Sequence, residues 1–401
     1  MTNPSQTDTP QADSLHLATL EALIQSDRTL AHAPSLAIDE PHELGQVTAA
    51  WLEQVLAADV PGARLGELAN TEAHSGMTDR QKWRLDWNEP GRRAGLPESI
   101  FVKATPHLPA HREMLSVLHM DEAEVKFFHS IYPEVTAIAP ACHYGRSYGG
   151  GRALIILEDL VERGAHPFWQ ADSCTLGHAR AIALAQAQLH ATFWQSEHLR
   201  GDLNWVRPRT RRFGGPWLYR AHREVRQTFL DTATERELPA SAADTLRVWH
   251  RHAGAVFNHW DTLPLTVTHG DAHLGNTYAN GDGTAGYFDW QVVFASHGLR
   301  DLSYFLMSAL TTEQRVAHER EIFDLYIDQL ADLGVSVDRD DAWNTYCLFV
   351  FELWNAAIMT YIHGTYNHAV EAQLRQFRSI ADALEQNDVA GRLASLIRRH
   401  C

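Results

Sequence analysis

The rhythm of apolar and polar positions changes twice along the chain. Leu15–Ser26 and Val47–Ala57 place apolar residues every three or four positions, which predicts two helices joined by a loop around Ala33–Pro41. After Pro61-Gly62 the runs shorten and begin to alternate. In Gln81–Trp87 the residues Trp83, Leu85 and Trp87 fall on one face, as a half-buried strand requires. The turn-rich Asn88–Pro97 then leads to Ile100-Phe101-Val102-Lys103, the pattern of a hairpin with a long loop. Helical spacing returns from Ala110 to Ile131. Two further strands are predicted at Val135–Tyr144 and Ala153–Leu157, linked by Gly145–Gly151. Strand, strand, helix, strand, strand describes a small α+β lobe.

From Thr175 onward helical spacing dominates. The predicted helices are Thr175–Trp194, Trp217–Thr232, Ser241–Trp260, Thr312–Leu333, Asp340–Ile362 and His368–Glu385. One β island, Leu265–Val293, interrupts them, and neither an internal repeat nor a heptad pattern is present. The expected organisation has three parts. Residues 1–44 form a polar tail, with Met1–Ser14 disordered, and a helical extension. Residues 45–160 form a strand-rich lobe, and residues 161–401 a helical lobe reached through a connector near Glu158–Arg163.

Composition narrows the function classes. A chain of 401 residues suits two or three packed units, and 45% apolar with 21% charged residues is a globular composition. Thirty-four basic against 50 acidic side chains give a formal net charge of -16. Such a surface repels nucleic acid and anionic lipid, so neither is expected as a partner. Cys142, Cys174, Cys347 and Cys401 show no C-x-x-C spacing and are expected as free thiols in a reducing compartment. Met1–Ser14 lacks an apolar core of the signal-peptide kind, and no apolar run reaches the ~18 residues of a membrane span. A cytoplasmic protein is expected.

The chemistry concentrates in Thr268-His269-Gly270-Asp271-Ala272-His273-Leu274-Gly275-Asn276, followed by Tyr287-Phe288-Asp289-Trp290-Gln291. Kinase catalytic loops read H-x-D-x-x-x-x-N, then a strand pair, then a metal-binding Asp. His269, Asp271, Asn276 and Asp289 fall at those offsets, with a hairpin predicted over Thr277–Phe288 around Asn280-Gly281-Asp282-Gly283. Phosphoryl transfer needs one carboxylate beside the attacking hydroxyl to orient it and accept its proton. A second carboxylate and an amide oxygen must hold Mg²⁺ against the phosphates of ATP. Asp, Asn and Gly also serve simply as turn residues, so it is the complete ordered set that points to chemistry.

The complementary half lies upstream. Lys103 ends an apolar strand and can reach the α- and β-phosphates, with Glu124 its expected partner on the next helix. Glu122 competes for that role, but on a helix the two point about 200° apart, so only one can face Lys103. Backbone groups near Glu158 and Leu160 are expected to bind adenine, and the turn holding Ser75 and Gly76 to cover the phosphates.

Other motifs fail on context. Gly145-Arg146-Ser147-Tyr148-Gly149 spells G-x-S-x-G, yet no helix follows the serine, and it reads as a hairpin turn. Gly281–Gly286 spells G-x-G-x-x-G but leads into a strand rather than a helix. His269, Asp271 and His273 alternate as three ligands of a metallohydrolase would, a reading that leaves Lys103 without a role. A pseudokinase scaffold that binds nucleotide without turnover is the other alternative. For an acceptor pocket, Trp194, Trp205, Trp217, Tyr219, Trp354 and Tyr361 are candidate walls, each more often core than pocket. Arg207, Arg209, Arg211 and Arg212 form a basic run expected as a solvated loop.

On these residues the chain resembles the aminoglycoside phosphotransferase and choline kinase superfamily, and within it the ecdysteroid-kinase-like branch. The matching segments are Val102-Lys103, Glu124 with Phe127-Phe128, Leu157–Leu160, His190-Ala191 with Trp194, His269–Asp271 with Asn276, Asp289–Gln291 and Asp301-Leu302. They run in family order over roughly residues 45–385. The resemblance implies a protein-kinase-like bilobal α+β fold and transfer of the γ-phosphoryl group from ATP to a hydroxyl of a small molecule. It implies Asp271 as catalytic base, Asn276 and Asp289 as magnesium ligands, Lys103 as the phosphate-binding lysine and Asp301 as a residue that fixes the loop.

Overall fold

The computed structural model describes residues 40–169, 172–211, 216–232, 238–363 and 370–400. The expected tail, the helix at Leu15–Ser26 and most of the loop after it lie outside the described residues. The chain divides into two units. One runs to His166 and includes the later segment Phe288–Val292, while the other holds Pro167–Tyr287 and Val293–Cys401.

The first unit is built on an antiparallel sheet of β1 (Leu65–Ser75), β2 (Asp79–Trp87), β3 (Ser99–Ala104), β4 (Cys142–Gly149) and β5 (Arg152–Glu158). Their order is β1-β2-β3-β5-β4. The predicted stripe of Trp83, Leu85 and Trp87 is buried in one cluster with Ile100, Val102, Leu154 and Ile156. Leu52, from the helix Ala49–Leu56, joins it. Strand periodicity then turns Lys103, next to Val102, to the opposite face, where it lies beside Ile155.

Several predicted boundaries move. The strand texture expected after Pro61-Gly62 begins with β1, whose bounds the sequence does not mark because its outer part is polar and mostly exposed. The helix expected over Ala110–Ile131 is two helices, Pro109–Val117 and Met120–Ser130. They part at His119, which takes the left-handed conformation with φ 53°. The strand expected from Val135 begins only at Cys142. Two 3₁₀ turns, Tyr132–Glu134 and Thr136–Ile138, occupy the stretch before it, where Pro133 and Pro140 restrict the backbone. Gly145–Ser147 lie within β4, and the turn to β5 is the glycine triplet Gly149, Gly150 and Gly151 at φ 75°, 62° and 75°.

The second unit is mainly helical. Predicted helices correspond to Leu176–Thr192, Pro216–Thr232, Ala240–Trp260, Thr312–Asp332 and Val370–Gln386. The helix expected over Asp340–Ile362 breaks at Phe349 into Arg339–Leu348 and Val350–His363. Leu299–Ala309 and Val389–His400 are additional helices. The former is buried from Leu299 through Met307. Aromatic packing joins the helices: Trp249 stacks on Phe351 at 4.8 Å, and Phe229 meets Trp354 edge-on at 5.0 Å. The β island is real and extends slightly further than predicted. Thr266–Thr268 pairs with Phe294–Ser296, and Thr277–Ala279 with Ala285–Tyr287.

Candidate active site

In the first unit Lys103 is withdrawn from solvent and shared by two carboxylates. Its Nζ donates to Glu124 Oε2 at 2.6 Å and to Asp289 Oδ1 at 3.0 Å. The rival glutamate is engaged elsewhere, since Glu122 Oε2 lies 2.6 Å from Lys126 Nζ. Burial pushes the Glu124 carboxyl up, the Lys103 ammonium pulls it down, and the Asp289 charge pushes it up again. Asp289 itself takes φ 66°, a left-handed conformation that few residues other than glycine adopt. Its chain neighbour Trp290 anchors it, stacking on Phe127 of the helix Met120–Ser130 at 3.9 Å and an interplanar angle of 6°.

A small cavity opens beside this lysine, lined by Thr78, Thr105, Asp121, Glu124 and Gln291 among others. Asp121 is buried there, and its carboxyl is pushed up to about 6 by burial and by the neighbouring Glu122, against a 3.3 Å hydrogen bond from the Ser147 hydroxyl. Sequence reasoning assigns no role to Asp121 or Gln291, although each lies within a segment that carries the kinase pattern.

The predicted phosphate-covering turn joins β1 to β2. Gly76 N donates to Thr78 O at 3.2 Å, and Ser75 Oγ to Asp79 Oδ1 at 2.9 Å. His107 N donates to Asp79 Oδ2 at 3.0 Å, which ties the turn to the chain beyond β3. At the end of β5, Glu158 N donates to Ala141 O and Leu160 O accepts from Ala165 N. Those two groups therefore already have partners within the chain. Asp159 between them holds Lys82 at 2.6 Å.

In the second unit the loop after the strand Thr266–Thr268 is braced from behind. Asp301 is fully buried and accepts from His269 N at 2.6 Å and Gly270 N at 3.3 Å, the loop-fixing geometry expected of it. Burial pushes the Asp301 carboxyl up, but His190 and Arg300 outweigh it and hold the group at about 2. Asn276 Nδ2 donates to Asp271 O at 2.9 Å and to Asp271 Oδ2 at 3.3 Å. His273 Nε2 stands 3.5 Å from the same Oδ2. The Tyr304 hydroxyl donates to Oδ1 at 3.3 Å. Burial raises the Asp271 carboxyl, yet His273, His269 and Arg300 together hold it well below the usual carboxylate range. It is therefore ionised at neutral pH. Asn276 turns its amide nitrogen to Asp271, which leaves the amide oxygen as a hard donor of the kind Mg²⁺ takes.

The structure thus gathers Lys103, Glu124 and Asp289 within one unit and Asp271 with Asn276 within the other. Among the described residues no group of three or more His, Cys, Asp or Glu side chains could hold a metal ion, which leaves the H-x-D-x-H reading without a ligand cluster. Of the basic run, Arg207 and Arg211 are exposed as a solvated loop requires, and the correction falls on Arg209. Arg209 pairs with the buried Glu352 rather than standing in solvent, and burial, with Arg300 and Arg226 nearby, pushes its guanidinium down to about 9. Arg212 lies outside the described residues, as do the side chains of Trp217 and Tyr219. Of the other aromatic wall candidates, Trp354 is buried core, Tyr361 packs on Phe229, and Trp194 is half-buried against His297. Sequence reasoning also misses Tyr304 and Arg300 behind Asp271; the only signal is their position on either side of Asp301-Leu302.

Comparison with known proteins agrees with this fold. The sequence pattern of the ecdysteroid kinase-like family matches residues 83–337, more than half of the chain. A candidate aminoglycoside phosphotransferase from Ralstonia eutropha has a similar solved structure, with a TM-score of 0.52 and 16% identity over 84% of this chain and 97% of that one. A choline/ethanolamine kinase family protein from Mesorhizobium loti gives 0.50 at 14% identity, covering 82% and 92%. The ethanolamine kinase of Plasmodium vivax gives 0.50 at 11% identity, covering 80% and 81%. No protein of curated function matches the sequence. The fold is α+β and protein-kinase-like. Among the described residues no helix is long and apolar enough to cross a membrane.

Proposed function

Since the chain belongs to the ecdysteroid kinase-like family, we propose that it transfers the γ-phosphoryl group of ATP to a hydroxyl of a small molecule. The observation that supports this most is Lys103 held between Glu124 and Asp289. A lysine so withdrawn from water is an expensive arrangement to maintain. It becomes intelligible if the ammonium is presented to phosphate oxygens and Asp289 to a cation.

In this reading Asn276 and Asp289 would hold Mg²⁺ through oxygen atoms, and the ion would supply neutralisation of phosphate charge. Lys103, steadied by Glu124, positions the phosphates. Asp271, ionised and braced by Asn276, orients the acceptor hydroxyl and takes its proton as the new O–P bond forms. Rate enhancement then comes from positioning and charge neutralisation rather than covalent chemistry. We place the work of the enzyme in the cytoplasm, on a neutral or charged alcohol.

The test is incubation with ATP, Mg²⁺ and a library of sterols, amino alcohols, sugars and antibiotics, read by mass spectrometry. A gain of one phosphate on a compound is expected, and that compound is the acceptor. Asp271→Asn should abolish that gain while ATP binding, followed by calorimetry, stays close to wild type. Equal loss of binding and turnover would remove Asp271 from the role of base. Asp289→Ala should abolish the magnesium dependence of nucleotide binding, and an unchanged dependence would contradict its part. Nucleotide binding with no product from any acceptor would instead favour a scaffold.

A further inference from the structure

The Asp271 carboxylate has two oxygens in different surroundings. Oδ2 faces Asn276 and His273, whereas Oδ1 receives the Tyr304 hydroxyl. Tyr304 is not free to swing away. It is buried on the helix Leu299–Ala309, and the Arg300 guanidinium lies 4.7 Å from its ring centroid. Arg300 is fixed in turn, with Nη1 2.9 Å from Asp301 Oδ1 and Nη2 3.3 Å from Glu352 Oε2. Glu352 also takes Arg209 from the segment Arg209–Arg211. A continuous run of charged and aromatic groups therefore ends on one oxygen of Asp271.

We infer that Tyr304 is a positioning residue of the transfer, whose hydroxyl engages Asp271 Oδ1 and so, with Asn276 on Oδ2, fixes the angle at which the carboxylate meets the attacking hydroxyl. This rests on the reading of Asp271 as base. A carboxylate turned about its Cβ–Cγ bond presents a different lone pair at each angle, and a misplacement of a fraction of an ångström at the reacting atom is costly. The 3.3 Å separation is long for O–H···O, as bonds at such sites often are before substrate arrives. In the step itself an oxygen bonds to the γ-phosphorus as the bridging P–O bond breaks. The bridging electron pair leaves with ADP, and the proton of the attacking O–H goes to the Asp271 carboxylate.

Water serves as the probe acceptor, so the test needs no identified substrate. Phosphate release from radiolabelled ATP with Mg²⁺ is followed in the full chain, wild type and Tyr304→Phe. The variant should lose about tenfold in kcat, with the KM for ATP within about twofold of wild type. Its melting temperature should stay within a few degrees. In an Asp271→Asn background the same substitution should cost nothing further, because there is no longer a base to aim. An unchanged kcat, a change confined to KM, or the same loss in both backgrounds would overturn the inference and leave Tyr304 as packing. If Asp271→Asn alone keeps the wild-type rate, the base reading itself has failed and takes this inference with it.

Discussion

Lys103 shows how much one residue's surroundings can be set by strand parity. Val102 points into the Trp83–Trp87 cluster, so the next side chain must leave by the other face, where Glu124 waits. Asp121 lies one helical turn before Glu124 and lines the same cavity, but its hydrogen bond comes from the neutral Ser147 hydroxyl. Its folded pKa is raised from the ordinary 3.8 to about 6. The unfolded chain therefore gives up this proton more readily, and stability is lost as pH rises from about 4 to 6. Asp121→Asn removes that penalty. The variant should match the wild type near pH 4 and exceed it at pH 8 by up to ~3 kcal/mol, read from urea melts at the two pH values. A difference that stays constant across that range would show that Asp121 is not held as a neutral acid.

At the scale of elements, the β4–β5 turn separates two costs that are usually confounded. Gly149 and Gly151 share φ 75°, so a side chain at either is strained by the backbone. Around Gly149 nothing lies within 4 Å of an added Cβ, whereas at Gly151 that atom would fall 2.1 Å from Arg112 O. Gly149→Ala should cost about 1–2 kcal/mol, the left-handed penalty alone. Gly151→Ala should cost clearly more, because the helix Pro109–Val117 must shift to admit a methyl group. Thermal melts of the two variants check this, and equal losses would mean that the close approach to Arg112 is not maintained. The plate of Trp290 on Phe127 is the other junction to probe. Phe127→Ala should cost about 3–5 kcal/mol and weaken nucleotide binding as well, since it loosens the residue next to Asp289.

For the molecule as a whole, acid should be destabilising through buried histidines. Burial pushes His297 down to about 3 and His250 to about 4, the latter helped by Arg226 and Arg223. Below pH 6.5 the unfolded chain binds protons that the native chain refuses, so stability falls toward those values by at most ~1.4 kcal/mol per pH unit for each histidine. Two such groups outweigh Asp121, whose effect has the opposite sign and is confined to pH 4–6. Melting temperature should therefore drop between pH 7 and 5, and His297→Gln should flatten the slope. The sequence is legible where chemistry needs fixed spacing: Asp271, Asn276 and Asp289 are readable because loop and hairpin lengths are constrained. The choice of Glu124 over Glu122 needs a strand face and a helix face together. Tyr304 and the capture of Arg209 by Glu352 depend on contacts between residues 33 and 143 positions apart, for which no local pattern exists. The five residues Phe288–Val292, which pack with the first unit although their chain neighbours belong to the second, carry one more consequence. During synthesis the sheet-bearing unit must wait, with Phe127 uncovered and Lys103 short of one counterion, until more than a hundred further residues have left the ribosome. A fragment ending at His166 should for that reason be made but aggregate, and adding a peptide spanning Phe288–Val292 in trans is the remedy to try first.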